Sequence, residues 1–155
     1  MEIELVRYSD KLKQSVFSFT NAVFYELGKK FEPEGRHAFY NDIENSFIVF
    51  FCLTTETDTV IGTGALKKLD DSTAELKALY LEQRYRGYGF GKLIINSIIE
   101  EARKNGFKTI VLDSMKQYKA AHDLYEKFGF KDTEKYSSNE MADVFTKLDL
   151  LGLYV

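Results

Sequence analysis

Arg86-Gly87-Tyr88-Gly89-Phe90-Gly91 places three glycines at alternate positions, just after a run of strand-forming residues and at the start of a run with helical period. Glycine lets the backbone turn sharply and leaves its N–H groups bare, and at the start of a helix those groups sit at the positive end of the dipole. Such a place binds an anion, most naturally a phosphate or pyrophosphate. Arg84 and Arg86 add fixed positive charge beside it. The plainer reading, a turn that merely opens a helix, accounts for the glycines but not for their company.

Two phosphate motifs fail on spacing. A dinucleotide turn needs G-x-G-x-x-G, and the third glycine would fall on Lys92 counted from Gly87, or on Ile94 counted from Gly89. Asp113 lies near where a ribose-binding acid would stand, but five residues separate Leu81 from Gly87. A nucleotide P-loop fails because Gly91-Lys92 is followed by Leu93, not by the hydroxyl residue that would hold magnesium.

Other reactive side chains are few. Cys52 sits among Phe50, Phe51 and Leu53 and reads as a small core residue, not a nucleophile. His122 beside Asp123 reads as a surface pair on a helix. No metal site is expected. The 21 Lys and Arg nearly balance the 24 Asp and Glu, leaving a net charge of −3 and no basic block for a phosphate backbone, so nucleic acid is not an expected partner. No apolar run approaches the roughly 18 residues of a membrane span, and a cytoplasmic location is the default.

The elements that must carry the glycine turn follow from period and punctuation. Residues 3–6 read as a strand, and Ser9 or Asp10 as the cap of a helix with Leu12, Val16, Phe19 and Val23 on one face. Pro33 and Gly35 break the pattern, and residues 38–43 form one or two further helical turns. Residues 46–54, 59–66 and 73–81 read as three strands joined by short polar connections, hence antiparallel. After Gly91 the period becomes 3.6, with Leu93, Ile94, Ile98, Ile99 and Ala102 on one face, ending at Gly106. Residues 108–113 make another strand. Ser114 and Gln117 fit a capping box for a helix carrying Ala120, Ala121, Leu124, Tyr125 and Phe128, which stops at Gly129. Residues 130–136 and 143–148 close the chain as strands. With 155 residues, 45% of them apolar, this is one domain, 1–155, of α+β class with a mostly antiparallel mixed central sheet flanked by helices.

With these elements in place, the sequence resembles the GNAT acetyltransferase superfamily, whose acetyl-CoA signature Q/R-x-x-G-x-G/A is matched by Arg86, Gly89 and Gly91. The resemblance runs upstream through Ala74-Glu75-Leu76-Lys77-Ala78-Leu79-Tyr80-Leu81, similar to the family's splayed central strand. Downstream, residues 121–130 resemble its A-x-x-L-Y-x-x-x-G-F segment. One departure is Tyr118, which stands where many members place an Asn that contacts the pantetheine arm. The first 45 residues match nothing beyond the order of elements.

The resemblance implies a GNAT-like acyl-CoA N-acyltransferase fold and acetyl-CoA as co-substrate, without a metal. The pantetheine arm would lie along backbone amides near Leu79 and Leu81, with an oxyanion donor at Leu79 or Tyr80. The pyrophosphate would lie on Gly87, Tyr88, Gly89, Phe90, Gly91 and Lys92, with Arg84 and Arg86 alongside. It implies Tyr125 as the acid that protonates the leaving thiolate. Glu75 has two readings: the base for the acceptor amine, or a solvated strand residue opposite a lysine. The expected partner is a small-molecule amine or a peptide amine. A non-catalytic acyl-CoA-binding sensor is the alternative on the same fold. The apolar tail 150–155 reads either as the interface strand of a homodimer or as cover for its own sheet.

Overall fold

The computed structural model describes residues 2–150. Its strands are β1 (Ile3–Arg7), β2 (Val49–Thr55), β3 (Val60–Lys68), β4 (Thr73–Leu81), β5 (Thr109–Ser114), β6 (Lys131–Asp132) and β7 (Val144–Asp149). Its helices are α1 (Lys13–Glu26), α2 (Ile43–Ser46), α3 (Phe90–Lys104) and α4 (Lys119–Lys127). The strands form one seven-stranded sheet in the order β1-β2-β3-β4-β5-β7-β6, antiparallel everywhere except between β4 and β5.

Both faces are covered, which is why β2 reads as an unbroken apolar run and not as an alternating one. Val49 and Phe51 face the core built with α3, where Ile94, Ile95, Ile98, Ile99 and Ala102 are buried. Phe50 and Cys52 face a second core with Leu12, Val16, Phe19 and Val23. Burying such a side chain contributes about 1.5–3 kcal/mol, so each face has its own stabilising layer. The Cys52 thiol is wholly inside the second core, and burial pushes its pKa up to about 12.

Several boundaries move. Ser9 precedes a 3-10 turn over Asp10–Leu12 with no side-chain cap, and α1 starts at Lys13. Residues 38–43 are a 3-10 turn over Ala38–Asp42 that passes into α2. Leu93, expected on the apolar stripe, is 42% exposed, because the buried face of α3 begins one residue later and takes in Ile95. The capping box does not form: Ser114 ends β5, a turn closes from Tyr118 N–H to the Met115 carbonyl, and α4 starts only at Lys119. The strand expected over residues 130–136 shrinks to Lys131–Asp132, since the chain then leaves the sheet edge and turns its side chains onto the sheet face. Of the apolar tail, Leu150 is buried and the remainder lies outside the described residues.

Candidate functional site

The sheet splits at its one parallel junction. β4 pairs with β5 only through Thr73↔Thr109, Ala74↔Ile110 and Glu75↔Val111. Beyond that point β4 stays with β3 as far as Leu81, while β5 stays with β7 as far as Ser114. A bulge in β4 accompanies the split. Ala65 opposes Lys77 and Thr63 opposes Tyr80, so Ala78 and Leu79 together face Gly64. Ala78 has φ of 54°, in the left-handed region, which costs an L-residue roughly 1–2 kcal/mol. Thr63 Oγ1 holds it there, donating a 2.6 Å hydrogen bond to the Ala78 carbonyl. Gly64 is required opposite: a Cβ there would lie 2.3 Å from Ile94 Cγ2, so α3 can rest on the bulge only if position 64 is bare. Beyond Glu75, the side of β4 that faces β5 has no strand partner among the described residues, leaving a gap beside the main chain of residues 76–81.

The glycine turn closes one end of this gap. After Leu81 the chain makes a 3-10 turn over Gln83–Tyr85, and Gly87 and Gly89 both take φ near +87° before α3 begins at Phe90. No atom crowds either glycine, so conformation, not space, demands them. Gly91 is different: it is helical, and a Cβ there would meet Leu124 Cδ2 of α4 at 3.0 Å. The first N–H groups of α3, including those of Phe90, Gly91 and Lys92, have no partner within a helix and lie at the positive end of its dipole. Tyr88 is 67% exposed beside them, and Lys92 is exposed. Arg86 points back to the Leu81 carbonyl at 3.3 Å, while Arg84 pairs with Glu82, which offsets part of its charge.

Tyr125 lies on the α3 side of the sheet. Its ring packs 6.1 Å from His122 and 5.8 Å from Phe130, centroid to centroid. Gly129, with φ of 97°, brings Phe130 back so that its N–H bonds the Tyr125 carbonyl at 3.1 Å, which explains the glycine-phenylalanine pair after the helix. Burial and then the neighbouring Tyr80 raise the pKa of Tyr125, so its phenol keeps its proton at neutral pH. His122 Nε2 lies 2.8 Å from the Met115 carbonyl and is anchored there.

Glu75 lies on the opposite face, since its neighbours Ala74 and Leu76 both point into the α3 core. It is only 4% exposed, which removes the reading of a solvated strand residue. Tyr136 Oη donates to its Oε2 at 2.6 Å, and Lys77 Nζ stands 3.6 Å from its Oε1. The next residue, Ser137, donates to Asp113 Oδ2 at 2.8 Å. Sequence reasoning missed Tyr136 and Ser137, because residues 130–136 carry strand-like composition and no local signal marks a chain leaving its sheet. On this same face the Tyr80 ring meets Phe24 edge-on at 5.5 Å. Lys29 Nζ lies 5.7 Å from the Phe24 ring and 5.3 Å from that of Tyr118. The Tyr118 hydroxyl is buried with no hydrogen-bond partner among the described residues.

Among the described residues there is no cluster of three or more His, Cys, Asp or Glu able to hold a metal ion, and no helix is long and apolar enough to cross a membrane. Residues 14–130 match the acetyltransferase (GNAT) family. The chain is 30% identical to the N-acetyltransferase YsnE of Bacillus subtilis (strain 168) over 85% of its own length and 89% of that protein's. Among solved structures, its fold is similar to a GNAT-family acetyltransferase from Staphylococcus aureus Mu50, with a TM-score of 0.88 and 18% identity over 96% of this chain and 99% of that one. It is also similar to yncA, a putative acetyltransferase from Salmonella typhimurium determined with its cofactor acetyl-CoA, with a TM-score of 0.73 and 18% identity over 97% and 95%.

Proposed function

Because this chain belongs to the acetyltransferase (GNAT) family, we propose that it transfers the acetyl group of acetyl-CoA to a primary amine by direct attack in a ternary complex, as one catalytic domain. The observation that carries this reading is the split between β4 and β5, with a carboxylate on one face of the sheet and a phenol on the other. The residues fit the co-substrate. Unpaired main chain beyond Glu75 can take an extended pantetheine arm as an edge strand takes a peptide, and the turn at Gly87 to Lys92 offers bare N–H groups to the pyrophosphate.

An alkylamine reaches the site largely protonated at neutral pH, so its proton must leave before attack. Glu75 takes that proton, directly or through one water. The free amine attacks the thioester carbonyl carbon, and a C–N bond forms as the carbonyl π electrons move onto oxygen. A backbone N–H at Leu79 or Tyr80, turned by the bulge, holds the oxyanion. The carbonyl re-forms as the C–S bond breaks, Tyr125 gives its phenolic proton to the departing thiolate, and the nitrogen, positively charged since the attack, loses its second proton through solvent, from which the phenol regains its own. Base and acid on opposite faces suit an acceptor entering from the α1 side and a thiol held on the α3 side.

The test is a panel of small amines and peptides incubated with acetyl-CoA, with free thiol measured. Release that depends on one class of amine and is lost in Glu75→Gln is the expected result. A protein that binds acetyl-CoA and acetylates nothing in the panel would overturn the enzyme reading in favour of a sensor.

A further inference from the structure

We propose that Tyr136 is the positioning residue for Glu75, fixing which carboxylate oxygen faces the acceptor amine. The inference rests on the reading of Glu75 as base, and it assigns a role to a segment, residues 133–143, that has no counterpart in the sequence motifs.

A carboxylate on a strand rotates about its terminal bond unless something holds one oxygen, and a base that rotates presents the wrong lone pair for part of the time. Here Oε2 is held by the Tyr136 hydroxyl at 2.6 Å, a short charge-assisted bond. Oε1 faces Lys77 Nζ at 3.6 Å, beyond hydrogen-bond reach, and is the oxygen left to accept a proton. The tyrosine is itself fixed. Its ring stands edge-on against Phe145 of β7 at 5.8 Å and 87°, and the adjacent Ser137 is bonded to Asp113 on β5. Two consecutive hydroxyls thus reach two carboxylates, one on each strand beside the split. Farther along the segment, Asp143 N–H bonds the Ser114 carbonyl at 3.0 Å and Asp143 Oδ1 accepts from Lys116 N–H at 2.7 Å, so the far end is tied down as well.

The charged groups around Glu75 are Lys77 on β4, Lys67 opposite it on β3, Asp113 on β5 and Lys147, which opposes Val111 on β7. None of them gives Glu75 a direct hydrogen bond. Burial, then the bond to Glu75, raises the pKa of Tyr136, so the hydroxyl remains a donor throughout the neutral and mildly alkaline range.

The experiment is a double-mutant cycle with Tyr136→Phe and Glu75→Gln, using an acceptor found in the amine panel. Tyr136→Phe keeps the ring against Phe145. It should lower kcat about 3- to 30-fold with little change in KM for acetyl-CoA, since the base is still present but no longer held in one orientation. In the Glu75→Gln background the same substitution should change nothing further, because the oxygen it positions no longer takes a proton. A Tyr136→Phe effect that multiplies onto Glu75→Gln undiminished, or one that falls on KM for acetyl-CoA and spares kcat, would overturn the positioning role while leaving the base in place. Glu75→Gln at the wild-type rate would instead remove the base reading itself.

Discussion

The hydroxyl of Thr63 on β3 reaches across the ladder to the carbonyl of Ala78 on β4, and both residues belong to the irregularity that lets β4 part from β5. Thr63→Val keeps the shape and deletes the donor. It leaves a partly buried carbonyl without this partner, so stability should fall by about 1 kcal/mol. Acetyl-CoA should bind more weakly, because the bulge loses its clamp. Urea melts and calorimetry on the one variant measure both effects. Full stability with intact affinity would show that the bulge stands without Thr63.

The glycine turn separates into two kinds of position. Gly89→Ala meets no atom but must adopt φ of 86°, a strain of roughly 1–2 kcal/mol that should appear as lost acetyl-CoA affinity. Gly91→Ala has no strained φ and instead pushes on Leu124, the neighbour of Tyr125. It should lower kcat as well as affinity. In a Leu124→Ala background the added methyl should have almost no further effect on kcat, whereas Gly89→Ala should be as damaging as before. Rates for the six proteins decide it.

Tyr125→Phe isolates the acid. The ring keeps its contacts with Phe130 and His122, so the fold and KM for acetyl-CoA should hold. The rate should drop about 100-fold, within the usual range for one general acid. An acetyl thioester with a more acidic thiol should recover part of the loss. A Phe variant as fast as the parent would remove Tyr125 from the chemistry.

Buried phenols also set the response to alkali. Burial leads the causes that raise the pKa of Tyr40, Tyr80, Tyr125 and Tyr136 above the ordinary phenol value. Their contribution to stability is complete below about pH 10, where the unfolded chain is still protonated, and is lost as pH rises further and the unfolded chain ionises first. Thermal melts between pH 8 and 11.5 should show a plateau and then a steep decline. Tyrosinate absorbance of the native protein should lag behind that of the urea-unfolded chain. A melting temperature that is flat to pH 11.5 would contradict the burial of these hydroxyls.

Local signals in the chain located most of what positions the site. The period change at Gly91 marks α3, Gly106 and Gly129 mark helix ends with φ above 80°, and residues 73–81 coincide with β4. What stayed hidden depends on contacts between distant residues. Gly64 looks like an ordinary glycine in a strand until Ile94 is packed on it. Tyr136 and Glu75 are 61 residues apart, and nothing in composition says that a tyrosine in a strand-like stretch will abandon its ladder for a carboxylate. Ser114 and Gln117 show the opposite error: a correct helix signature whose serine the neighbouring strand had already taken.

A seven-stranded sheet has two outer edges, here β1 and β6; the split gives this one two more, the lips of β4 past Glu75 and of β5 past Val111. Exposed strand edges are templates for pairing with any extended chain, and proteins ordinarily blunt them with charge, proline or cover. Lys77 and Asp113 put charge beside these inner lips, but among the described residues no strand covers their main chain. The same unpaired main chain that can accept a pantetheine arm can accept a stray peptide or the lip of another molecule. Acetyl-CoA, by filling the gap, would act as a chaperone for its own enzyme, and the protein would be most prone to aggregate when acetyl-CoA is scarce.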